Sequence, residues 1–112
     1  MIEVKKVSKI LNEMVSFALN REATKVDSLI ENKEELYKLT IQASNLKCSN
    51  DCINNLKQLL NAPRQKDVEE YYWELTGDSD TGAELELVGM MVDKAIVEFD
   101  KGNLYIELHR LK

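Results

Sequence analysis

Val97-Glu98-Phe99-Asp100-Lys101-Gly102-Asn103-Leu104-Tyr105-Ile106-Glu107-Leu108-His109 is the stretch on which the fold turns. Apolar and polar residues alternate on both sides of Asp100-Lys101-Gly102, and period two marks a strand with one buried face. Gly102 suits the left-handed position of a three-residue hairpin loop, which glycine reaches without steric cost. Alternation and turn agree, so a hairpin is predicted with strands over 94–100 and 103–111. Upstream, Glu84-Leu85-Glu86-Leu87 also alternates, and Gly77 to Gly82 reads as a loop. Extending back from the hairpin gives an antiparallel meander over roughly 69–76, 83–91, 94–100 and 103–111.

A helical reading competes. Val68, Tyr71, Tyr72 and Leu75 lie at helical spacing between Pro63 and Gly77, and Thr81-Gly82-Ala83-Glu84 has the spacing of a capping box. Leu85, Val88, Val92, Ala95 and Phe99 would continue a stripe after it. The alternative architecture is therefore an all-α bundle.

The first sixty residues read as helix, with no Gly or Pro before Pro63. Val4, Val7, Leu11, Met14 and Ala18 form one stripe, widened by Ile10 and Phe17. Thr24 is a candidate N-cap for a second helix through Val26, Leu29 and Ile30. It breaks at the cap-like pair Asn32 and Glu35 and resumes through Leu36, Leu39, Ala43 and Leu46. Ser49 or Asn50 caps a third helix carrying Ile53, Leu56, Leu59 and Leu60, which Pro63 ends. The expected fold is a single α+β domain: two or three N-terminal helices (1–62) packed on a C-terminal antiparallel sheet (67–112).

Size and composition bound the rest. A chain of 112 residues with 44% apolar side chains has room for one domain and one core, which argues against disorder. Its longest apolar runs are three residues, as in Met90–Met91–Val92, far short of a membrane span. No signal peptide is evident at the N-terminus, so the cytoplasm is expected, or the host cytoplasm for a gene of a virus or mobile element.

Charge is the most uneven property. Between Asp67 and Asp100 eleven carboxylates face one base, Lys94, whereas the whole chain carries a net charge of -5. Such segregation attracts basic partners and repels nucleic acid. Single glutamates on a strand are usually solvated surface, but solubility does not require so few compensating bases. Tyr71, Tyr72 and Trp73 lie beside the carboxylates and are residue types that anchor interfaces. The expected function is a non-catalytic binding protein that docks an acidic face on a basic protein, as an inhibitor, immunity-type protein or viral counter-defence factor would. The candidate contact residues are Glu69, Glu70, Trp73, Glu74, Asp78, Asp80, Glu84 and Glu86.

Other chemistries fit less well. Cys48 and Cys52 could pair across one helical turn in an oxidising compartment, but two half-buried residues at a helix boundary is the favoured reading. With His109 as the only histidine, the ligand count for zinc fails. Asp78-Ser79-Asp80 opens like a calcium loop, yet Ala83 and Gly89 stand where that loop needs Gly and Glu. No cofactor is implied: no phosphate-cradling Gly-rich loop exists, and His109 reads as a surface histidine. A winged-helix-like regulator using residues 50–66, with Asn54, Asn55, Lys57 and Gln58 on DNA, is a second reading. Only four bases over residues 46–66, in an acidic chain, weigh against it. A third is a self-associating subunit, because Val4, Val7, Ile10, Leu11, Met14 and Phe17 share one broad face and a homodimer would extend the core.

Overall fold

The computed structural model describes residues 2–75 and 84–112. Its elements run α1 (Ile2–Asn20), β1 (Lys25–Asn32), β2 (Leu36–Ser44), α2 (Asn50–Leu60), α3 (Lys66–Tyr72) with a 3-10 turn (Trp73–Leu75), α4 (Glu84–Met91), β3 (Lys94–Asp100) and β4 (Asn103–Leu111). The four strands form one antiparallel sheet in the order β1-β2-β4-β3. The fold class is α+β, as the terminal hairpin implied.

The terminal hairpin forms over the predicted residues. Asp100 pairs with Asn103, so its loop holds two residues. Lys101 and Gly102 both have positive φ, of 50° and 83°. That is the primed turn whose twist matches the flanking strands, not the three-residue loop expected from Asp100-Lys101-Gly102.

Residues 25–44, expected as helix, form the hairpin β1–β2 instead. The apolar positions satisfy both periods: Val26 and Ile30 face inward from β1, and Leu39, Ile41 and Ala43 from β2. Thr40, Ile41, Val26 and Ile30 are β-branched, and those side chains pack well on a pleated surface. Asn32 and Glu35 flank the turn of this hairpin, closed by the Lys33 N–H donating to Leu36 O at 2.9 Å.

The segments 69–76 and 83–91, expected as strands, are helical where described. Four alternating residues at Glu84–Leu87 are outweighed by Leu85, Val88, Met91 and Val92, all buried at helical spacing. On α3 it is Glu69 that turns inward, while Tyr71 and Tyr72 face solvent. The Gly77–Gly82 loop and the Thr81 cap signature lie outside the described residues.

Helix α1 buries Val7, Ile10, Met14, Phe17 and Ala18 of the predicted stripe, with Leu11 partly buried, whereas Val4 is exposed. Helix α2 is capped by Ser49, whose Oγ accepts from the Cys52 N–H at 3.1 Å, and it buries Ile53, Leu56 and Leu60. Cys48 and Cys52 are joined in a disulfide rather than left as free thiols. The core lies between the helices and the inner face of the sheet, centred on Leu39, Ile41, Ile106 and Leu108, none of which is exposed. Gly89 of α4 seats that helix against α2, since a Cβ there would stand 1.9 Å from the Leu59 carbonyl oxygen.

Candidate functional site

The acidic segment and the first helix meet around one buried carboxylate. Glu69 on α3 is 2% exposed, far from the solvated face expected for it. Lys6 reaches its Oε2 at 2.8 Å from α1, and Arg110 grips both oxygens, at 2.9 and 2.6 Å, from β4. Arg64, ahead of α3, comes within 3.4 Å of Oε1.

Arg110 is itself 1% exposed and uses every N–H it has. Two go to Glu69, two to Glu3 on α1 at 2.8 and 3.0 Å, and one to the Met91 carbonyl at 2.6 Å. Five donors meeting five acceptors is full satisfaction of a guanidinium, the condition under which a buried charge is tolerated. Arg64 extends the network to Asp93 at 2.8 Å and to the Leu111 carbonyl at 2.9 Å.

The ionisation of these groups follows. Burial resists the charge on Glu69, but Arg110 and Lys6 outweigh it and hold the carboxyl at about 2. Burial likewise opposes the charges on Lys6 and Arg110, and the carboxylates raise both pKa values despite it. Glu3 is lowered, chiefly by its bonds to Arg110. Because the Glu69 value is depressed in the folded state, its stabilisation is present above the ordinary value of 4.5 and is lost as pH falls through about 2. The urea midpoint should therefore drop across that window. In Glu69→Gln, already less stable at neutral pH, the dependence should be shallower. An equal slope in both proteins would mean that other carboxyls drive the acid transition.

Above this network lies a surface of mixed charge. Lys6 also binds Glu70 at 2.6 Å, and Lys9 donates to the Glu74 backbone carbonyl at 2.8 Å. An open pocket of about 600 Å³ is lined by Ile2, Lys5, Lys9, Glu70, Trp73 and Glu74. Trp73 is 9% exposed, with the amines of Lys6 and Lys9 6.0 and 5.8 Å from its ring, so it forms the pocket floor and not a protruding anchor. The exposed aromatics are its neighbours: Tyr71 is 83% and Tyr72 51% exposed, with ring centroids 6.4 Å apart.

Of the candidate residues, Glu69, Glu70, Trp73 and Glu74 thus come together beside α1, with Glu69 inside. Glu86 is exposed on α4, Glu84 opens that helix, and Asp78 and Asp80 lie outside the described residues. Sequence reasoning missed Lys6 and Arg110. Both carried a signal: Lys6 stands one turn before Ile10 on the buried face of α1, and Arg110 continues the inward parity of Leu104, Ile106 and Leu108.

A second cluster occupies the outer face of the sheet. Tyr105 donates to Glu107 at 2.6 Å, the His109 Nε2 lies 2.6 Å from the other Glu107 oxygen, and Lys38 stands at 3.7 Å. The Tyr105 and His109 contacts hold the Glu107 carboxyl at about 2. His109 is therefore a partly buried member of a ladder, where an ordinary surface histidine was expected.

The segment before α2 is strand β2, so the helix-turn-helix that would place Asn54, Asn55, Lys57 and Gln58 on DNA lacks its first helix. No helix among the described residues is long and apolar enough to cross a membrane, and no group of three or more His, Cys, Asp or Glu among them could hold a metal. Comparison with known proteins found no matching family model, no matching curated protein and no matching solved structure.

Proposed function

We propose that this chain is a non-catalytic binding domain that docks on a basic protein through the outer side of α3. Tyr71 and Tyr72 supply the anchors, and Glu70, Glu74 and the exposed Glu86 of neighbouring α4 supply the complementary charge. The observation that carries this reading is the exposure of two adjacent tyrosines on a short helix whose buried position is taken by a carboxylate. Tyrosines stranded on the solvent side add nothing to the core, whereas large flat aromatics are the residues that dominate interfaces. The carboxylates would chiefly raise the association rate, and the tyrosines the lifetime of the complex.

A partner recovered by affinity capture from the source organism should bind Tyr71→Ala/Tyr72→Ala about 100-fold more weakly. The stability of that variant should stay within about 0.5 kcal/mol of the parent, because the rings are exposed. Glu70→Lys/Glu86→Lys should bind more slowly and with a flatter salt dependence between about 50 and about 500 mM. Binding indifferent to both changes and to salt would reject the proposal.

A further inference from the structure

Among the described residues, strand β1 closes one side of the sheet and leaves a row of backbone groups without a neighbouring strand. The Lys33 N–H bonds to Leu36 O across the β1–β2 turn. Hydrogen-bonded pairs alternate in an antiparallel ladder, so the odd-numbered residues of β1 direct their N–H and C=O groups to β2. Val26, Ser28 and Ile30 direct theirs away from the sheet. Edge strands are normally blunted by proline, a bulge, brevity or charged side chains. Of these β1 has only its charges, Lys25, Asp27 and Glu31: it has eight residues, no Pro or Gly, and unbroken register from Lys25↔Ser44 to Asn32↔Tyr37. It also carries exposed apolar side chains on both faces, Leu29 at 55% and Ile30 at 38%.

Of the registers that pair most of the length of β1, one complements its charges. A two-fold axis through Ser28 sets Lys25 opposite Glu31 of a second copy, and does so twice. Val26 then meets Ile30, Asp27 meets Leu29, and Ser28 meets its own counterpart. Moving the axis to Asp27 opposes that carboxylate to itself, and moving it to Leu29 opposes Asp27 to Glu31, so both neighbouring registers bring like charges together. An axis between two residues would set inward side chains against outward ones. In the register through Ser28 the outward backbone groups of Val26, Ser28 and Ile30 pair fully.

We propose that a second copy of this chain docks on β1, joining two four-stranded sheets into one continuous antiparallel sheet. The present neighbours of the two charges do not oppose this: Lys25 lies 3.8 Å from Asp27, and Glu31 lies 3.9 Å from Lys33 and 4.0 Å from Lys38. Such long, partly exposed pairs contribute little and redirect easily. The opposite edge, β3, is a poorer candidate, because its Ile96, Val97 and Phe99 are already half-buried.

Sedimentation equilibrium of the full chain from low to high micromolar concentration tests this. The mass should rise from 12.9 kDa towards twice that value. Ser28→Pro removes the N–H at the two-fold axis and should weaken association at least about thirtyfold, the equivalent of two hydrogen bonds. It should spare the β1–β2 ladder, which does not use that N–H, and circular dichroism checks the fold. Lys25→Glu should weaken the dimer by up to about tenfold, and adding Glu31→Lys should restore it. A strict monomer, a dimer unaffected by Ser28→Pro, or a double reversal that fails to restore association would each overturn the proposal.

Discussion

Arg110→Met is expected to lower the free energy of unfolding by about 3–5 kcal/mol, because removing one partner of a buried ion pair leaves the other's charge uncompensated. Here the loss reaches five acceptor oxygens in three groups at once: Glu69, Glu3 and the Met91 carbonyl. Lys6 and Arg64 still hold Glu69, which keeps the figure within that range. A domain of this size has only about 5–15 kcal/mol in hand, so the variant sits near the limit of folding. Urea denaturation measures the loss directly. Removing both charges in Arg110→Met/Glu69→Met should cost less than the sum of the single changes, and the cycle gives the coupling. A single-variant loss under about 1 kcal/mol would mean that water reaches the site and takes over the bonds.

The second large effect runs against helix propensity. Alanine is favoured over glycine inside a helix by about 1 kcal/mol, so Gly89→Ala on an isolated α4 would stabilise it. In the folded chain the new methyl would stand 1.9 Å from the Leu59 carbonyl oxygen and 3.0 Å from its carbon. Both are backbone atoms, so no side chain can rotate away, and α4 must move off α2. Overpacking of this kind costs about 3 kcal/mol, and the melting temperature should fall by roughly 10 °C. A melting temperature at or above that of the parent would show that the two helices are free to separate.

How much of this was legible in the chain depends on the range of the interaction that decides each element. The terminal hairpin was readable because Leu104, Ile106 and Leu108 alternate beside a turn that their own neighbours specify. Helices α1 and α2 were readable because long stripes and the Ser49 cap are local signals. The β1–β2 hairpin was not, since Val26, Ile30, Leu39 and Ala43 fit a helix stripe and a strand face equally. Pairing with β4 selects the strand. The four alternating residues of Glu84–Leu87 misled for the opposite reason: that run is shorter than the helical pattern containing it. The candidate site was half visible. A cluster of carboxylates near aromatics can be read from composition, but which carboxylate goes inside depends on Lys6, 63 positions away, and on Arg110. Burial of Glu69 in turn decides that Trp73 becomes a floor and that the tyrosines protrude.

The position of β4 bears on how the molecule comes into being. It is the last strand in sequence order, yet it lies between β2 and β3 and carries the arginine that neutralises Glu69. Until β4 has emerged from the ribosome, β2 has only one flanking strand, and Glu69 can meet Lys6 and Arg64 but not the two-pronged grip of Arg110. The sheet closes only once that segment has emerged, so the nascent form exposes unpaired strand backbone and apolar surface, the features that make such species prone to aggregate.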